Sequence, residues 1–145
     1  MLKPLAIATL VVLLAGCGND KAESLPAGCS QGPQAIERAL AKAPSRVTVD
    51  GTPISRCFNR GASGTDTQVV GTNLVAAAQK LADDVAATKP GAAVQLGYLV
   101  GAARRGATRS GLGAELVRRI EAEATRLGSQ RAAYERGLRA GLAQG

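Results

Sequence analysis

Apolar residues keep a helical period through most of this chain, and one short alternating stretch interrupts it. Ile36, Ala39, Leu40 and Ala43 share a face, which predicts a short helix over 33–43. Pro33 suits its first turn, and Pro44 disfavours helix at Ala43 and ends it. From Val47 to Phe58 the period changes to two, with Val47 and Val49 sharing one face, as Ile54 and Phe58 would. Asp50-Gly51 between them is a preferred two-residue hairpin turn. Pro53 has no N–H to give a ladder, so its strand is an edge or starts just after it. A lone two-stranded hairpin is marginal in water, so this one is expected to lie against helices.

Helical spacing then returns. Thr65-Asp66-Thr67-Gln68 reads as a capping box. The helix it opens carries Val70, Leu74, Ala77, Ala78, Leu81 and Val85 on one side and should end near Thr88. Lys89-Pro90-Gly91 is a corner. Residues 91–105 are apolar nearly all round, which predicts the most buried element. Gly97 and Gly101 have the spacing of a membrane-helix dimer face, but the segment is too short to span. They are read instead as small residues that admit a neighbouring helix. After a basic turn (104–110), a long helix is predicted over 111–143, with Leu112, Leu116, Val117, Ile120, Ala124, Leu127, Tyr134, Leu138 and Leu142 in register. Glu115–Arg119 and Glu135–Arg139 are i,i+4 pairs on it. Gly128 and Gly137 each cost about 1 kcal/mol relative to alanine, which predicts a bend or break near Gly128. The fold class is mainly α: a small helical bundle with one short β-hairpin.

Composition explains how such a bundle would pack. Alanine and glycine abound, and the aromatic residues are only Phe58, Tyr98 and Tyr134. The core is therefore thin and built by close approach of small-residue helices. Charge is uneven. Residues 17–103 hold 8 Lys/Arg and 7 Asp/Glu, a net of +1, whereas 104–145 hold 9 Arg and 4 Glu, a net of +5. Arg118, Arg119, Arg126, Arg131, Arg136 and Arg139 on the final helix, with Arg104, Arg105 and Arg109, are candidates to contact an anionic surface. A solvated face interleaved with glutamates is the alternative for them.

The N-terminus carries a different pattern. Met1-Leu2-Lys3-Pro4 precedes an uncharged run, Leu5 to Ala15, and Gly16 places a small residue before Cys17. Eleven residues cannot span a hydrocarbon core of about 30 Å, but they fit the apolar region of a secretory signal. Leu14-Ala15-Gly16-Cys17 resembles the lipobox of bacterial lipoproteins: a long apolar residue, two small ones, then cysteine. That resemblance covers residues 1–17 only. It implies cleavage before Cys17, a diacylglyceryl thioether on its sulfur, and a place on the extracytoplasmic side of a membrane in the bacterial cell envelope. Two or three acyl chains anchor stably where one holds marginally. Residues 1–16 are then the signal peptide, 17–28 the lipidated cysteine and a polar tether, and 29–145 a single helical domain. A flexible tether of that length spans roughly 18 Å.

With Cys17 assigned to lipid, Cys29 and Cys57 remain as an even pair, and outside the cytosol such a pair oxidises and persists. A disulfide is expected; two free thiols are the alternative. A zinc pair is disfavoured, because there is no histidine and two thiolates make an incomplete shell.

The chain offers little for catalysis. Without histidine there is no ordinary triad, Cys/His pair or histidine–metal site. Asp83 and Asp84 are helix neighbours whose side chains diverge by about 100°. There is no tryptophan for a sugar to stack on, and no motif pairs Ser55 with Lys42 or Lys80. The expectation is a non-enzyme without cofactor or metal, held to the membrane through Cys17. An envelope protein is its expected partner, and nucleic acid is excluded by export.

Overall fold

A computed structural model of the chain describes residues 25–58, 64–109 and 111–145. The apolar run at the N-terminus, Cys17 and most of the tether lie outside the described residues. The fold is mainly α, with five α-helices and one two-stranded antiparallel hairpin among the described residues. After a 3-10 turn at Ala27–Ser30 come α1 (Pro33–Leu40), β1 (Thr48–Val49) and β2 (Thr52–Pro53). The helices α2 (Gly64–Ala86), α3 (Ala92–Gly106), α4 (Gly111–Glu123) and α5 (Arg131–Gln144) follow. No described helix is long and apolar enough to cross a membrane.

The hairpin forms where the alternation placed it. Thr48 pairs with Pro53 and Val49 with Thr52, and Asp50 (φ 49°) and Gly51 (φ 76°) turn the chain between them. Two successive left-handed residues match the twist of the flanking strands. Val47 and Val49 are buried, as expected. The strand does not continue to Phe58, however. Residues Ile54–Phe58 coil into a 3-10 turn that buries Ile54, Ser55, Cys57 and Phe58 together, which a strand with alternating sides would not do. That turn aims Cys57 at Cys29. Their Sγ atoms stand 1.99 Å apart, at disulfide distance.

All six apolar residues assigned to the inner face of α2 are buried: Val70, Leu74, Ala77, Ala78, Leu81 and Val85. The helix begins at Gly64, and Thr65's side chain, half of the expected capping box, lies outside the described set. In α3 the residues Ala92–Val94 and Leu96–Ala103 are all buried, so it is the central element. Tyr98 is fully buried within it, and its hydroxyl accepts a hydrogen bond from the Val47 amide at 3.0 Å. Tyr98→Phe leaves that buried N–H without a partner. The expected loss is about 1–3 kcal/mol, measurable by urea denaturation.

The long final helix is broken. Ala124 turns back onto the Glu121 carbonyl, Leu127 is buried, and Gly128 takes φ +48° before α5 starts. Gln130 Nε2 ties this corner to the Val85 carbonyl at 2.7 Å. The break lets α5 return alongside α3, and the seam between them consists of glycines from both helices. A methyl at Gly97 or Gly101 would land on the carbonyl of Tyr134 or Leu138, and one at Gly137 or Gly141 on that of Val94 or Tyr98. Contacts advance in step, from Val94–Gly137 to Tyr98–Gly141 to Ala102–Gly145, so α3 and α5 run parallel. Gly137, which weakens an isolated helix, is here the condition for backbone contact. Of the expected apolar stripe, Ile120 and Leu127 are buried, and Leu116, Val117, Tyr134 and Leu138 pack partly, while Leu112 and Leu142 face solvent.

Candidate functional site

The break in the final helix divides the candidate arginines. Arg118, Arg119 and Arg126 stay with α4 and its end, and Arg131, Arg136 and Arg139 belong to α5. All six are exposed. On α4, Glu115 draws two of them inward. Arg118 donates through Nε and Nη2 to both oxygens of Glu115 at 2.8 and 2.7 Å, and Arg119 Nε donates to one of them at 2.8 Å. The two guanidiniums hold the Glu115 carboxyl down to about 2. Arg104 Nε donates to Glu121 Oε1 at 2.6 Å, joining α3 to α4. Among the described residues no carboxylate pairs with Arg126, Arg131, Arg136 or Arg139.

The depressed Glu115 value fixes a pH window. A carboxyl ionised more readily when folded contributes at pH above its ordinary 4.5, and loses that contribution as pH falls towards 2. The cluster is solvent-exposed, so the effect on stability is small. NMR titration is expected to find Glu115 charged until about pH 2, and Arg118→Gln to move its midpoint upward. A midpoint near the ordinary glutamate value in the unaltered protein would contradict the bidentate pairing.

Other ionisable groups serve similar structural roles. Asp84 accepts from Lys80 at 2.5 Å and faces Lys89 at 2.7 Å, and these hydrogen bonds lower its pKa. Asp83, its neighbour, points elsewhere and lines a cavity of about 310 Å³ with Leu96, Glu123, Arg126 and Leu127. Cys29 and Cys57 are buried, so neither is presented as a nucleophile.

A groove of about 550 Å³ lies between α2 and α4, with Gly71, Val75, Leu112 and Leu116 forming its apolar part. Gln68, Gln79, Glu115 and Arg119 edge it. Leu112 is 74% exposed, an open apolar surface at the groove's rim. The amphipathic pattern had assigned Leu112 to the core. Its exposure follows from its place in the first turn of a helix that starts at Gly111. Comparison with known protein families, characterised proteins and solved structures finds no match to this chain.

Proposed function

We propose that this protein is a lipid-anchored component of the bacterial cell envelope that acts by contact rather than by chemistry. The lipobox-like Leu14-Ala15-Gly16-Cys17 carries the reading. The Cys29–Cys57 pair at disulfide distance supports it, because such a bond persists in an exported protein. The engagement of Glu115, Glu121 and Asp84 in ion pairs supports the non-catalytic half, since those carboxylates brace helices. The groove between α2 and α4, with exposed Leu112, offers an apolar surface to a protein partner. In a second reading, basic side chains contact an anionic envelope surface. The unpaired Arg126, Arg131, Arg136 and Arg139 favour it over a purely solvated face.

Fractionation of expressing bacteria tests the anchor. The unaltered protein is expected in the membrane pellet, resistant to high salt, and Cys17→Ser in the unprocessed or soluble fraction. If both proteins distribute alike, lipid on Cys17 is not what holds the chain.

A further inference from the structure

Cations that are scattered in sequence converge where α3 and α5 end. Because those helices run parallel, both present their C-terminal carbonyls at the same pole. Two other segments meet them there. Gln144 Nε2 donates to the Pro44 carbonyl at 2.7 Å, which brings in the exposed Lys42 and Arg46 on either side of that proline. Ser55 Oγ donates to the Gly145 oxygen at 2.7 Å, and Gly106 packs directly on the Ser55 carbonyl. Arg105 Nη1 donates to the Leu142 and Ala143 carbonyls at 2.8 and 3.2 Å, and Arg109 follows three residues beyond Gly106. Arg139 sits one turn before Ala143 on the outward side of α5.

Among the described residues no carboxylate pairs with Lys42, Arg46, Arg105, Arg109 or Arg139. A terminal carboxylate at Gly145 would subtract one charge and leave the pole strongly positive. Helix C-termini stabilise cations placed near them, and at about half a negative charge each the two carbonyl ends offset only a small part of the five basic side chains. The α4 face differs, since Glu115 there offsets one of the two charges of Arg118 and Arg119.

We infer that this pole, rather than the α4 face, is the surface that meets anionic phospholipid headgroups. A chain tethered at Cys17 keeps the domain within reach of such a layer, and the pole supplies the complementary charge. The choice of a membrane as partner rests on the anchor reading, and the charge pattern does not. The contact orients the domain, with its α3–α5 end down. It is electrostatic, so salt weakens it.

The full chain in neutral-detergent micelles tests this directly. Micelles doped with phosphatidylglycerol or with phosphatidylcholine, and inorganic phosphate alone, are titrated while amide and guanidinium signals are followed by NMR. Phosphatidylglycerol is expected to shift residues 42–46, 105–109 and 139–145 in a salt-sensitive way, and phosphatidylcholine is not. Each cation near an anionic layer contributes about fivefold, so Lys42→Gln with Arg46→Gln is expected to weaken the interaction by about 25-fold. Both side chains are exposed, and unchanged amide signals elsewhere confirm that the fold is kept. Arg118→Gln with Arg119→Gln is expected to leave the interaction within about twofold, as these side chains lie on α4 rather than at the pole and share Glu115.

Equal loss in both double variants, shifts confined to α4, or equal response to the two lipids would overturn the assignment. So would saturation by inorganic phosphate as tight as by the lipid, which would mark a small-anion site instead. None of these readouts uses the lipid on Cys17. Failure here therefore leaves the anchor standing, and failure of the Cys17 fractionation leaves the charge pattern of the pole but removes the reason for choosing a membrane as its partner.

Discussion

Gly137→Ala will destabilise this protein by about 3 kcal/mol, although alanine is the better helix former by about 1 kcal/mol. The added methyl falls on the Val94 carbonyl, with the Tyr98 amide 2.9 Å away. Both obstacles are backbone, held inside a buried helix, so no side chain can swing aside. Relief requires α5 to move off α3 along its length. That movement would separate Gly141 from Tyr98 and Gly101 from Leu138 as well. Small domains have roughly 5–15 kcal/mol in total, so the loss is a large fraction. Urea denaturation will read it as a lower midpoint at unchanged slope. Unchanged or higher stability would mean that the two backbones do not touch. Gly128→Ala serves as a contrast. Nothing lies within 4 Å there, and the cost arises only from φ +48°, about 1 kcal/mol.

Reduction of the Cys29–Cys57 pair is expected to have an effect of comparable size. The 28-residue separation closes a loop around α1 and the hairpin. Chain-entropy reasoning gives about 3.6 kcal/mol at 25 °C for a loop of that length. Both cysteines are buried, so Cys29→Ala with Cys57→Ala also removes packed sulfur, although the vacated volume is small. Denaturation with and without reductant is the check. The oxidised protein is expected to unfold at markedly higher urea, and coincident curves would show that the bond does not restrain the chain. α1 and the hairpin hold few large apolar residues beyond Ile36, Leu40, Val47, Val49 and Ile54, which is why this region depends on a cross-link.

The elements that the sequence made legible are those whose signals are local. Helix periodicity located α1, α2 and α3, and it identified every buried apolar position of α2, because burial of one face is written into spacing. Asp50-Gly51 marked its own turn. The residues after Pro53 were misread as strand, because their alternation is short and their conformation is set by distant partners. Cys57 must reach Cys29, and Ser55 must reach Gly145 across 90 positions. Gly97 and Gly101 were correctly read as room for a neighbour. Their counterparts Gly137 and Gly141 were not seen as the matching half, because helix propensity weighs glycine only against its own helix. The pairing is tertiary, and no local rule carries it.

Charge was the least legible property. Counting arginines along the final segment pointed to one basic face, but the break expected near Gly128 divides those arginines between two helices and Glu115 offsets part of their charge. The positive pole instead needs Lys42 and Arg46, which lie far away in sequence and join it only through the Gln144 contact to Pro44. A linear charge count cannot show such a patch.

The intact mass of the protein recovered from bacterial membranes bears most directly on where the molecule resides. If Cys17 is the acylated first residue, the mass will equal residues 17–145 plus a diacylglyceryl group, with or without a third acyl chain, less two hydrogens for the paired cysteines. A mass that retains residues 1–16, or one that begins at or near Cys17 with no acyl increment, would contradict the assignment.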